Sequence, residues 1–226
     1  MTMLNYSDDP ISMSELRTLL PDRPTIVELG AADGKGSLDF LQAFPGVRLF
    51  AFEPDPRNIE KHRLAVQDDR CRLFPLAAWS TDGVMPLHQS DGVSPRTGGD
   101  WSRGSSLLTP KDHTTVFPWS SFPTQVDVET IRLDRWAAET IPGEPVDLLW
   151  ADIQGAEAEM LKGATDLLTR TRYLLLEITP RAQLYRGQPT LPRLRSLLPN
   201  WKPEGAYEIG KQFVCQTILL RNTSIP

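Results

Sequence analysis

TIVELGAADGKGSLDFLQAF, residues 25–44, decides the fold. Residues 25–29 form an apolar, β-branched run that ends in a glycine cluster, and Leu38, Leu41 and Phe44 then fall on one helical face. The reading is strand, tight turn, helix. A second unit follows at once: VRLFAF (47–52) stops at Glu53-Pro54, and residues 57–67 carry a helix with Ile59, Leu64 and Val66. Further strands are expected at 72–77 (RLFPLA), 126–133 (VDVETIRL), 146–151 (VDLLWA), 173–178 (YLLLEI) and 213–220 (FVCQTILL). Helices are expected over about 134–140, 155–169 and 190–198. Strands that alternate with helices predict a mostly parallel sheet covered on both faces, because parallel neighbours need a crossover. The expected class is therefore α/β, one domain over 1–226, with a helical extension at 1–24 and a long loop insertion at 84–125.

Composition narrows the partners. The net charge of −5 has the wrong sign for a surface that binds nucleic acid. Two cysteines, Cys71 and Cys215, lie outside any C-x-x-C or Cys/His spacing, so they read as buried thiols of a reducing compartment. The first ten residues lack a basic start and an apolar stretch, and no uncharged run reaches ~20 residues. A cytoplasmic protein without membrane contact is expected. There are 20 prolines where about 11 would be usual, many in the middle of the chain, which points to long shaped loops.

In an open α/β sheet, ligands sit at the carboxyl ends of the strands. At the first end, Gly30 and Gly34 allow a sharp turn and a close ligand, but the run is not G-x-G-x-x-G. The acidic Glu28 instead suits a cationic cofactor over a pyrophosphate. Glu53 lies 23 positions after Gly30, the spacing at which a carboxylate accepts ribose hydroxyls. Ala77 and Ala78 offer small side chains where an adenine can lie. At the fourth end, Asp152 precedes Gly155 and Glu157; helix capping by Asp152 and helix-end electrostatics for Glu157 are the structural alternatives.

Together these segments resemble the FkbM family of methyltransferases. The likeness runs through VELGAADGKGSLDFL, FAFEPDPRNIEKH, GSSLL at 104–108, ETIRLDRW at 129–136 and above all VDLLWADIQGAEAEMLKGA at 146–164. It covers roughly residues 25–180, with Trp150 standing where the family often has Lys. The resemblance implies a Rossmann-like class I fold with a seven-stranded sheet and an antiparallel final strand. It also implies methyl transfer from S-adenosylmethionine to an oxygen of a sugar, glycan or other small molecule. The cofactor residues would be Glu28, Gly30, Ala31, Gly34, Glu53, Pro54, Ala77, Ala78 and Asp152.

Such a transfer needs alignment and removal of the hydroxyl proton. Asp152 is the first candidate base and His113, inside the 84–125 loop, the second. Trp101, Ser105, Ser106, Gln154 and Glu177 are expected to bind the acceptor, with the loop as its lid; Tyr185 and Arg186 either border that cleft or pack. No metal is expected. The rivals are N-methylation of a protein side chain, a nucleotide-binding module without catalysis and, more distantly, an NAD-dependent oxidoreductase.

Overall fold

A computed structural model describes residues 6–7, 11–93, 95, 98, 100–180, 182–208 and 215–225. In chain order the first half reads β1 (Tyr6–Ser7), α1 (Met13–Leu19), β2 (Thr25–Leu29), α2 (Lys35–Ala43), β3 (Arg48–Phe52), α3 (Pro56–Ala65), β4 (Cys71–Phe74), β5 (Ala77–Ala78) and β6 (Gly83–Gly92). A 3-10 turn (Ser102–Gly104), α4 (His113–Val116), β7 (Ser120–Ile131), α5 (Leu133–Thr140), β8 (Val146–Ala151), α6 (Glu157–Lys162), α7 (Thr165–Thr169), β9 (Thr171–Ile178), α8 (Leu191–Leu197), β10 (Trp201–Glu208) and β11 (Gln216–Asn222) complete it. The main sheet has the order β1-β10-β11-β9-β8-β2-β3-β4. Strands β4, β3, β2, β8 and β9 run parallel, and β11 lies antiparallel between β9 and β10. This is the expected Rossmann-like arrangement, with the two-residue β1 as an eighth member.

Burial drives the layering. Alternate strand residues face two cores: Val27, Leu29, Phe52, Leu149 and Leu174 pack against α5, α6 and α7 on one side. On the other, Ile26, Leu49, Leu148 and Leu175 meet Leu16 of α1 and Phe40 of α2. Trp136 of α5 sits edge-on to Phe50, Phe52 and Phe74, with ring centroids 5.1–5.6 Å away. Helix α1 is started by a reciprocal Ser12/Glu15 capping box. Among the described residues no helix is long and apolar enough to cross a membrane.

Five local expectations change. The strand expected at 72–77 ends at Phe74, and Ala77–Ala78 instead pairs with β7 in a second sheet of order β5-β7-β6. The run 126–133 belongs to that second sheet, while β10, unassigned from sequence, supplies the main sheet's missing strand. The reason is visible in β10: its Pro203, Gly205 and bulge interrupt alternation, and its partner on the outer side is only β1. Residues 84–125 are not one loop, since β6 and β7 form a long antiparallel ribbon. Pro86 is tolerated because β6 is the edge of its sheet. The helix expected over 155–169 breaks at Gly163, where a Cβ would lie 2.1 Å from the Trp79 carbonyl oxygen. The last strand is Gln216–Asn222, and Phe213 and Val214 lie outside the described residues.

If the Trp136 cluster holds α5 to the sheet as described, Trp136→Ala lowers unfolding free energy by about 3–5 kcal/mol in urea titrations. Leu64→Ala, at a side chain 78% exposed, changes it by less than ~0.5 kcal/mol.

Candidate functional site

Sheet register builds the site. Leu29 is paired with both Phe52 and Ala151, so the next residues of three strands, Gly30, Glu53 and Asp152, emerge side by side where the topology reverses between β2 and β8. The Gly30 and Ala31 N–H groups donate to the Phe52 carbonyl at 2.9 and 3.0 Å, and the Asp152 N–H donates to the Leu29 carbonyl at 3.0 Å. Gly30 has φ +85°, and a Cβ there would stand 2.0 Å from the Asp152 carbonyl oxygen, so only glycine lets the two chain ends approach this closely. Ala32 also takes a positive φ, +47°, which aims its N–H at Glu53 Oε2, 2.8 Å away.

A cavity of about 260 Å³ opens over these ends. Glu28, Gly30, Ala31, Glu53, Pro54, Ala77, Ala78 and Asp152 line it, as do Ser105, Ser106 and Gln154, so most cofactor and acceptor candidates share one space. Gly34, Trp101, His113 and Glu177 are not in its wall. Gly34 instead precedes α2, its Cα against Val66 and His62. Trp101 stacks loosely on Phe117 and Trp119, with its indole N–H buried and unpaired. His113 is buried among Phe117, Phe122 and Tyr185, its Nδ1 2.9 Å from Ser120 Oγ, and burial pushes its pKa down to about 4. Glu177 borders a smaller hollow of about 20 Å³ behind Asp152.

The wall is acidic. Glu28, Asp33, Asp39, Glu53 and Asp152 face it, against Lys35 and Arg103. Burial lifts Glu28 to about 8, although the Ser37 hydroxyl donates to its Oε2 at 2.5 Å; a Cβ on Gly36 would lie 2.4 Å from its Oε1. Burial likewise lifts Glu53 to about 7, against the N–H groups of Asp55 and Ala32 and the Asn58 amide; Asp55 and Asn58 donate to Oε1 and Ala32 to Oε2. Asp152 is raised by burial while the Gln154 amide, 2.7 Å from its Oδ1, holds it back; Glu177 is raised well above the usual range by burial and by Asp152's charge. Glu157, pushed up to about 7 by burial, accepts the Gly155 N–H, and Asp152 does not cap α6, whose N-cap is Ala156.

Sequence reading proposed a roof from this segment but missed the contacts that hold it down. Arg103 reaches across the cavity mouth to Asp33 at 2.5 Å. Beneath it, buried Asp55 accepts from Arg57, Gln89 and Ser105, which hold its carboxyl down despite burial. Asn58 joins α3 to Ser102. The polar spacing Asp55-Arg57-Asn58 was the available signal, masked by its resemblance to an ordinary Asx cap, which Asp55 also makes.

A family model described as the methyltransferase FkbM domain matches residues 28–208. The 2-O-methyltransferase NoeI of Sinorhizobium fredii is 36% identical over 206 residues, covering 91% of this chain and 82% of that protein. Among solved structures, a putative rRNA methylase from Clostridium thermocellum superposes with TM-score 0.54 at 8% identity, covering 93% of this chain and 92% of that one. Fibrillarin of Aeropyrum pernix, with natively bound S-adenosyl-L-methionine, gives TM-score 0.51 at 15% identity, covering 89% and 68%.

The buried carboxyls set a pH signature. Glu28 and Glu53 bind protons more tightly folded than unfolded, so between pH ~4.5 and ~8 the folded state holds the extra protons and stability falls as pH rises. Glu28→Gln flattens that slope in thermal melts of the ligand-free protein; an unchanged slope would show Glu28 to be ionised or solvated.

Proposed function

The chain belongs to the FkbM methyltransferase family and is an S-adenosylmethionine-dependent methyltransferase, and from that premise we propose that it methylates a hydroxyl oxygen of a sugar or glycan. The observation that carries this reading is the single cavity in which the Gly30 turn, Glu53 and Ala77–Ala78 meet Asp152, Gln154, Ser105 and Ser106. The first group fits the cofactor. Gly30 and Gly36 let the turn close against the Asp152 carbonyl and the Glu28 carboxyl at the cavity wall, and an acidic wall favours a cation. Glu53 Oε2, with Ala32 as its one donor, keeps acceptor capacity for a ribose hydroxyl, and Ala77 and Ala78 leave a flat surface for the adenine. When bound, S-adenosylmethionine supplies a methyl group already activated by a sulfonium.

The protein's own task is then to align the acceptor and take up its proton. Asp152 does the latter: it opens onto the cavity, and its raised proton affinity makes it a stronger base than an exposed carboxylate. His113 is a poor second candidate because it lies outside the wall and its pKa is depressed. Ser105 and Ser106 stand opposite, and Arg103 covers the mouth, so the segment between β6 and β7 forms the acceptor's roof. A sugar hydroxyl fits this short, polar-rimmed space, which also receives support from the 2-O-methyltransferase relative.

Asp152→Asn is expected to lower methyl transfer from labelled S-adenosylmethionine to a panel of mono- and oligosaccharides by about 100-fold or more. S-adenosylhomocysteine affinity by calorimetry stays within about threefold. Glu53→Ala does the reverse, weakening that affinity at least about tenfold. Undiminished transfer by Asp152→Asn would remove it as the base, and labelling of peptides alone would replace the sugar.

A further inference from the structure

We infer that Gln154 and Tyr185 are positioning residues, a hydroxyl-to-amide-to-carboxylate chain that aims Asp152 and fastens it to the roof of the cavity. The inference rests on the reading of Asp152 as the base. Gln154 Nε2 donates to Asp152 Oδ1 at 2.7 Å, and Gln154 Oε1 accepts from the Tyr185 hydroxyl at 3.1 Å. Each end of the amide thus meets the opposite kind of partner, and only one orientation satisfies both. A free side chain would not need this arrangement. Gln154 also holds a left-handed backbone, φ +53°, where a non-glycine residue is strained, and its carbonyl accepts the Ser106 hydroxyl at 2.8 Å.

Tyr185 in turn is fixed from the roof. Its hydroxyl lies 2.6 Å from the Gly104 carbonyl, so its single proton is shared between that oxygen and Gln154. Its N–H donates to Gln188 Oε1 at 3.0 Å, and its ring packs on His113 and Phe122. On either side, Lys111 N–H donates to the Leu184 carbonyl and Arg186 N–H to the Thr109 carbonyl, both at 2.8 Å. Gly155 completes the joint, since a Cβ there would meet Gln188, Leu108 and Tyr185 within 3.0–3.4 Å. The segment that covers the acceptor and the residue that takes its proton are therefore one connected body.

Other titratable groups face Asp152: Glu177 from β9, Glu157 from α6, Arg103 from the roof and Cys215 ahead of β11. Glu28, Asp33, Lys35, Asp39 and Glu53 share its cavity. None is altered by the test. Tyr185→Phe keeps the ring and removes the hydroxyl; Gln154→Ala removes the amide. Gln154→Ala removes the donor to Asp152 Oδ1, and Tyr185→Phe removes the hydroxyl that holds that donor in place, so the titration midpoint of Asp152 moves up in both, by about half a unit to one unit.

The measurement is a ¹³C NMR titration of proteins labelled at aspartate carboxyls, with Asp152→Asn assigning the resonance. Support requires the upward move in both variants, S-adenosylhomocysteine affinity within about twofold, and, on any sugar that is methylated, kcat reduced about tenfold at unchanged KM for S-adenosylmethionine. An unmoved midpoint, or a rate loss matched by lost affinity, overturns the proposal. Transfer that survives Asp152→Asn would instead strike at the base assignment, while the NMR result still judges the chain of bonds.

Discussion

The structure turns on the contact between the Gly30 backbone and the Asp152 carbonyl. Strands β2 and β8 are neighbours that feed helices on opposite flanks, and their ends converge only because nothing projects from Gly30. A methyl group there would push the ends apart and carry the Glu53 bond to Ala32 with them, since Ala32 is two residues on. The left-handed angles at Gly30, Ala32 and Gly34 follow from this crossing: the chain must leave the strand, rise over the sheet edge and start α2 within five residues. Local strain at Ala32 persists because the strand pairing on both sides over-determines it.

Electrostatics follow from the same convergence. Three strand ends that each carry a carboxyl cannot all be hydrated in so small a space, so proton affinities rise at Glu28, Glu53 and Asp152 together. Near neutral pH Glu28 and Glu53 therefore keep protons that exposed glutamates release, and a cation placed beside them would favour their ionised forms.

What was legible in the sequence was whatever depends on short-range pattern. Residues 25–53 and 146–178 are continuous, deeply buried β/α units, and their strand ends, with Gly30, Glu53 and Asp152, fall where the pattern puts them. The β6–β7 ribbon was legible only where β7 overlaps residues 126–131, because Leu87 and Val128 are the only fully buried hydrophobic residues of its two strands. Strand β10 was hidden by Pro203 and Gly205, which an edge position tolerates. The Asp33–Arg103 and Tyr185–Gln154 contacts join residues 70 and 31 positions apart, and no local spacing encodes such pairs.

The ribbon leaves the domain at Gly83 and returns at Thr130, residues that are paired across from one another. Its two roots are therefore pinned together whatever happens at its far end. Pairs of residues added to or removed from the ribbon would leave those roots in register with the strands beneath.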